Sequence, residues 1–283
     1  MALAPGPALA VIFAGVLHAI WNAVAKGVPD RKAGFALLGL GQAMVGLIVL
    51  PVVAVPAAAA WPWLIASNVL HLGYVMLLAR SYDLGDFGQV YPLARGSAPL
   101  LVAVVAAVAL GERLSLPQLC GVAAVCAGLV TLAFAGGLGE GRTDRRAVVA
   151  ALLTGVSIGI YTLVDGIGVR LAHSPAGYSA WMFAIEGPLT AAWVLSLRGR
   201  AVLAPMRVSW KLGLAGGVIS AFGYGIVLWA QTRGSLAAVA ALRETGVISG
   251  AVIGAVFFAE PLGRRRIAAA TVVALGVLLI NTH

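Results

Sequence analysis

The chain has 283 residues, of which 61% are hydrophobic and 10% charged, and its mean hydropathy is +1.00. A water-facing domain carries about 25% charged residues, so this composition excludes a soluble enzyme, a nucleic-acid-binding domain and a disordered chain. The net charge of +9 comes from basic residues in short runs between apolar stretches, a pattern of membrane topology and not of a nucleic-acid partner.

A helix crosses a bilayer with about 20 mostly apolar residues. Ten such stretches are predicted, at 7–26, 33–55, 62–80, 88–110, 117–135, 147–169, 176–197, 210–230, 236–258 and 265–281. Alternating barrel patterning is absent, so the expected fold class is an all-α membrane protein of ten transmembrane helices. The first stretch lacks the basic flank of a cleavable leader and is interrupted by His18, Trp21 and Asn22, which share one helix face. The third carries Asn68, His71 and Tyr74. On the fourth, Tyr91, Arg95 and Pro99 share a face at four-residue spacing, and Pro92 and Pro99 free backbone carbonyls. That segment is expected either to bend as a gate or to kink for packing alone.

On the fifth stretch Cys120 and Cys126 lie on nearly opposite faces, cannot bridge each other, and are expected to be small core residues. A glycine-rich connector follows at 136–146. The sixth stretch bears a polar stripe of Thr154, Ser157, Tyr161 and Asp165. Glu186, followed by Gly187 and Pro188, sits mid-way along the seventh, and Ser220, Tyr224 and Gln231 along the eighth. The ninth holds Arg243 and Glu244, then Gly246, Gly250 and Gly254 as a small-residue ridge for close helix contact. Glu112 and Glu260, at helix ends, are expected to cap rather than to meet substrate.

Alternate connections carry Lys26, Arg31, Lys32, Arg80, Arg142, Arg145, Arg146, Arg198, Arg200, Arg207, Lys211, Arg264, Arg265 and Arg266, against only Arg113, Arg170 and Arg233 on the other face. The positive-inside rule puts the richer face in the cytoplasm and, with ten spans, both termini outside.

Arg95 and Arg243 alone among the basic residues fall inside apolar spans. A shift of 148 residues superposes them, together with Ser97 on Thr245, Glu112 on Glu260, Leu114 on Leu262 and Gly128 on Gly276. Gly73-Tyr74 answers Gly223-Tyr224 more loosely, and Trp21 falls opposite Tyr161. The chain therefore reads as a duplication, with one five-helix repeat at 7–135 and the second at 147–281. An odd number of spans per copy forces the second to enter the bilayer inverted, and inverted repeats suit alternating access around a site near the midplane.

Five-plus-five helices, with Gly111-Glu112-Arg113-Leu114 and Ala259-Glu260-Pro261-Leu262 closing the fourth and ninth, resemble the EamA-type branch of the drug/metabolite transporter superfamily. The resemblance covers residues 8–281 and implies a ten-helix secondary carrier of small organic metabolites with a central cavity. Members are often drawn with cytoplasmic termini, whereas the charge bias here predicts the opposite. Tyr91-Pro92-Leu93-Ala94-Arg95-Gly96 and Leu242-Arg243-Glu244-Thr245 look like a subgroup associated with phosphonate utilisation.

An arginine in hydrocarbon costs about 2.5–3.5 kcal/mol by insertion scales. Two at equivalent positions are expected to face a watery cavity and bind an anionic group. The plainer alternative is that each is neutralised by a buried carboxylate, for which Glu186, Asp165 and Glu244 are the candidates. Trp21, Asn22, Tyr161, Tyr91, Tyr74, Tyr224 and His18 are further candidates for contact with substrate, or else for interhelical hydrogen bonding. Intramembrane carboxylates mark proton relays, so Glu186, Glu244 and Asp165 are also the proton-coupling candidates.

No nucleotide loop, metal-ligand spacing or cofactor motif appears, so neither ATP drive, metal nor cofactor is expected. The expected activity is a secondary active transporter, not an enzyme, in a bacterial inner membrane. Its expected partners are a small anionic or zwitterionic metabolite and the lipid bilayer, with the chain a monomer or weak homodimer. A lipid-carrier flippase and an intramembrane lipid-modifying enzyme are the alternatives.

Overall fold

The computed structural model describes residues 3–84, 87–112, 114–135, 145–249, 252–253 and 264–280, and no strand occurs among them. In chain order the helices are α1 (Pro5–Lys26), α2 (Arg31–Val49), α3 (Trp61–Leu84), α4 (Phe87–Ala109) and α5 (Leu116–Ala135). They continue with α6 (Arg145–Leu171), α7 (Pro175–Arg198), α8 (Leu203–Gln231), α9 (Leu236–Arg243) and α10 (Arg264–Ile280). Helix starts follow local chemistry. Asp30, Ser174 and Ser235 each accept a backbone N–H three residues on, and Pro175 occupies the first turn of α7. Gly199, with φ of 53°, ends α7.

Among the described residues, Pro5–Val24, Arg31–Val52, Ala58–Leu84, Arg145–Leu171 and the stretch Pro175–Gln231 are long and apolar enough to cross a membrane. Leu93–Ala109, Leu116–Thr131 and Ile267–Ile280 are shorter apolar helices. Exposed Leu47, Ile48, Val69, Val104, Val108 and Leu278 lie on the outer surface, where a bilayer and not water would meet them.

Most helices keep to their predicted spans within two residues, and four departures are informative. α2 stops at Val49 instead of 55, because Pro51 cannot continue the ladder and the chain passes into a 3-10 turn over Leu50–Val52. α3 runs four residues beyond 80, to Leu84, and α8 begins seven residues before 210, at Leu203. Arg80, Arg207 and Lys211, expected in loops, thus stand exposed on helices. The fourth departure concerns the ninth span. α9 ends at Arg243, the chain turns at Glu244 and Thr245, and helix resumes over 246–249. Across the turn Glu244 N bonds Ala241 O (3.1 Å), Thr245 N bonds Leu242 O (3.1 Å) and Val247 N bonds Glu244 O (3.0 Å), reaching back three residues instead of four. The Thr245 hydroxyl also takes the Leu242 carbonyl at 2.8 Å, a local bond that competes with the helical ladder. By contrast, α4 runs through Pro92 and Pro99 without interruption.

Gly250, Gly254, Glu260, Pro261, Leu262, Arg113, Arg142 and the glycines at 137–141 lie outside the described residues, as does the side chain of Tyr91. Of the predicted core cysteines, Cys126 is buried, but Cys120 is exposed, on the face of α5 turned away from the bundle.

The most extensive packing joins the first five helices to the later ones: α2 on α7 and α8, α5 on α10, α3 and α4 on α6, and α1 on α8. Exchanging the two sets helix for helix maps α1·α8 onto α3·α6, and α1·α9 onto α4·α6. On α2 and α7, Gly39 meets Gly187 and Gly46 meets Ala180 and Ala184, so the two helices run antiparallel. A Cβ on Gly187 would stand 2.6 Å from that of Ala43, so the seam requires glycine. On α5 and α10, Gly121 meets Gly276 and Ile280 while Gly128 meets Ala269 and Val273, again antiparallel.

Candidate functional site: a central cavity with two arginines

A cavity lies between α1, α2, α3, α4, α6, α7, α8 and the end of α9. Its walls come from the C-terminal parts of α1 and α3 and the N-terminal part of α2, and equally from the C-terminal halves of α6 and α8, which places it near mid-height of the bundle. One end of the bundle is filled by an apolar cluster that includes Leu3, Ala8, Val11, Ala230 and Leu242. There Arg170 donates to the carbonyls of Gln231 (2.9 Å) and Gly234 (2.8 Å) and to Glu112 (2.9 Å). Glu112 also accepts Leu236 N–H at 2.9 Å, so it caps α9 rather than its own helix.

Both intramembrane arginines line the cavity, and both are almost wholly buried, at 3% exposure for Arg95 and 4% for Arg243. Glu244, at 1%, lies between them. Arg95 Nε donates to Glu244 Oε2 at 2.9 Å and Nη2 lies 2.7 Å from Oε1, a fork-on-carboxylate pair. Arg243 Nε lies 3.9 Å from the same Oε1 and has no hydrogen-bond partner among the described residues. Of the three carboxylates weighed as partners, Glu244 alone is paired with Arg95. Among the described residues, Glu244 is therefore the one carboxylate in contact with the two guanidinium groups, while Glu186 lines the same cavity from α7.

Asp165 lies behind the wall, fully buried, and accepts hydrogen bonds from Tyr178 Oη (3.1 Å) and Tyr224 Oη. His71 Nε2 is 3.9 Å away, while its Nδ1 faces the Ser67 carbonyl at 3.0 Å. Asp165 thereby fixes Tyr224, and the Arg243 guanidinium lies 5.8 Å from the centre of that ring. His71, Tyr74, Tyr161 and Tyr224 form one aromatic wall, with His71 and Tyr161 centroids 4.0 Å apart and Tyr74 and Tyr161 5.4 Å apart. The polar stripe on α6 thus divides: Tyr161 faces the cavity, Asp165 sits behind it, and the Thr154 hydroxyl satisfies the Ala150 carbonyl.

Glu186 lines the cavity, and its Oε2 is buried with no hydrogen-bond partner among the described residues. His18 and Trp21 also line it, joined by a Trp21 Nε1 to His18 Nδ1 hydrogen bond of 3.1 Å. Asn22 does not reach the cavity lining, because its amide donates to the His18 carbonyl at 2.7 Å on its own helix. Sequence reasoning passed over Gln42 and Thr190. Gln42 donates to Ser220 at 3.2 Å across the cavity edge between α2 and α8. Thr190 follows Glu186 by one helical turn, so four-residue spacing could have found it.

No curated protein matches the sequence. A solved structure described as "Crystal structure of protein" superposes with a TM-score of 0.74 at 18% identity, covering 97% of each chain, which shows a shared fold. Residues 145–282 match the EamA-like transporter family. Through that match, the second half of the chain is similar to a family of membrane transporters.

Proposed function

We propose that the chain is a secondary carrier that moves a small anionic or zwitterionic metabolite, bearing a carboxylate or phosphonate, across a bacterial inner membrane by alternating access. The observation that carries this reading is the pair Arg95 and Arg243. They stand at equivalent positions of two related segments and face one cavity with a single carboxylate between them. Two guanidinium groups close together in a low-dielectric site, with one carboxylate in contact with both, favour an anion. A ten-helix inverted repeat is the architecture proposed, and the antiparallel seams of α2 with α7 and α5 with α10 support it. Exchange of packing partners between the two halves supports it further.

The apolar cluster and the Arg170 contacts close the end opposite Arg31, Lys32, Arg80 and Arg198, which the charge bias assigns to the cytoplasm, so the state is read as inward-facing with both termini outside. Opening the other end would require Arg170 to release Glu112 and the α8–α9 turn. Glu186 and Glu244, the carboxylates nearest the site, would carry proton coupling, while Asp165 is held by two tyrosines behind it.

The test is flux into proteoliposomes of defined internal and external pH, screened against anionic, zwitterionic and cationic metabolites. Saturable flux of an acid-bearing compound, lost in Arg243→Ala, is expected. Transport of cations alone, or acid flux that survives Arg243→Ala, overturns the reading.

A further inference from the structure

Two guanidinium groups facing each other in a low-dielectric site repel unless an anion lies between them, and an unpaired buried charge is strongly destabilising. The structure fills that position with the chain's own carboxylate. Glu244 Oε1 lies 2.7 Å from Arg95 Nη2 and 3.9 Å from Arg243 Nε, and Oε2 accepts from Arg95 Nε at 2.9 Å. An incoming acid that is to engage both arginines must take the place these oxygens hold.

We infer that Glu244 is a resident surrogate for the substrate anion, and that it yields the arginines by taking up a proton, so that each anion enters with one proton. The inference rests on the anion-carrier reading and assigns its coupling to one residue. The charges balance. Arg95, Arg243 and ionised Glu244 sum to one positive charge, and so do the two arginines, neutral Glu244 and a bound monoanion. The proton goes to a Glu244 oxygen, and the hydrogen bonds that Arg95 Nε and Nη2 made to Glu244 pass to the oxygens of the anion.

The surroundings suit this exchange. Facing the site are Arg95 from α4, His18 from α1, Tyr161 from α6, Tyr224 from α8 and Arg243 from α9 itself, with Glu186 of α7 and His71 and Tyr74 of α3 on the same cavity wall. Cys126 of α5 belongs to the apolar cluster packed beside α9, and residues 267–280 of α10 contribute no titratable side chain. Glu244 is thus the one carboxylate in contact with either arginine among the described residues. It also stands in the turn where α9 ends and helix resumes at 246, so its backbone is not held by a continuous ladder.

Purified protein in weakly buffered nanodiscs, titrated with methanesulfonate and a pH dye, tests this. Methanesulfonate is a monoanion whose charge does not change with pH. The wild type is expected to take up about one proton per anion bound, with affinity falling about tenfold per pH unit once Glu244 is ionised. Glu244→Gln is expected to bind methanesulfonate with pH-independent affinity and no proton uptake. Binding to the wild type without proton uptake, or undiminished uptake in Glu244→Gln, overturns the inference while leaving the anion site standing. Absence of binding to the wild type at every pH overturns both. If Glu244→Gln does not fold, the wild-type stoichiometry alone decides.

Discussion

The segments around Arg95 and Arg243 occupy equivalent positions in the sequence and serve the same cavity, yet they are built differently. α4 carries Arg95 on an uninterrupted helix despite two prolines, whereas α9 stops at Arg243 with no proline near it. The residue after each arginine differs too, Gly96 against Glu244. Gly96 abuts α5, where a Cβ would fall 2.8 Å from the Cβ of Leu129, so α4 has no room there for an acid. The carboxylate stands beside one arginine only, and it reaches across to the other. The two arginines share equivalent positions in the sequence. They do not share partners, because those depend on which neighbour each segment packs against.

The sharpest way to separate the two arginines is to remove each in turn. Arg95→Ala removes both hydrogen bonds to Glu244 and leaves it only Arg243 Nε at 3.9 Å, so it is expected to cost up to about 3–5 kcal/mol of stability, read as a large fall in thermal midpoint by tryptophan fluorescence. Arg243→Ala leaves the Arg95–Glu244 pair intact and is expected to lose transport while unfolding near the wild-type temperature. Equal thermal losses in the two variants would break the asymmetry described above.

Gly96→Ala probes the same contrast sterically, with an expected loss of about 1–3 kcal/mol from overpacking against Leu129. Gly187→Ala, at the α2–α7 seam, is expected to cost a similar about 1–3 kcal/mol, through contact with Ala43. A midpoint unchanged in either variant would show that the neighbouring helix gives way freely. The smallest effect is expected at the surface. The Arg198–Asp30 pair, 3.1 Å apart with Arg198 39% exposed, should contribute about 0–1 kcal/mol, so Arg198→Ala should shift the midpoint little.

Much of this was legible in the residues. Span positions follow from hydropathy, and the importance of Arg95 and Arg243 follows from their cost in hydrocarbon; both line the cavity. His18, Trp21, Tyr74, Tyr161, Tyr224 and Glu186 also line it, since polar groups on an apolar helix have few places to go except the interior. Asn22 was not separable from Trp21 by helical face, because a carbonyl on its own helix satisfies its amide and that bond leaves no trace in spacing. Asp165 shares the face of Tyr161, but its ties to Tyr178 and Tyr224 depend on how α7 and α8 are laid against α6.

Hydropathy and charge are sums over neighbouring residues, so the chain alone determines that this is a helical membrane protein and where its intramembrane charges stand. The tertiary structure alone decides that Glu244 and not Glu186 or Asp165 answers Arg95, and that the ninth span breaks beside its arginine. The reason is geometric: an ion pair needs its atoms within about 4 Å. Residues 149 apart in sequence reach that distance only after α4 and α9 are packed against each other.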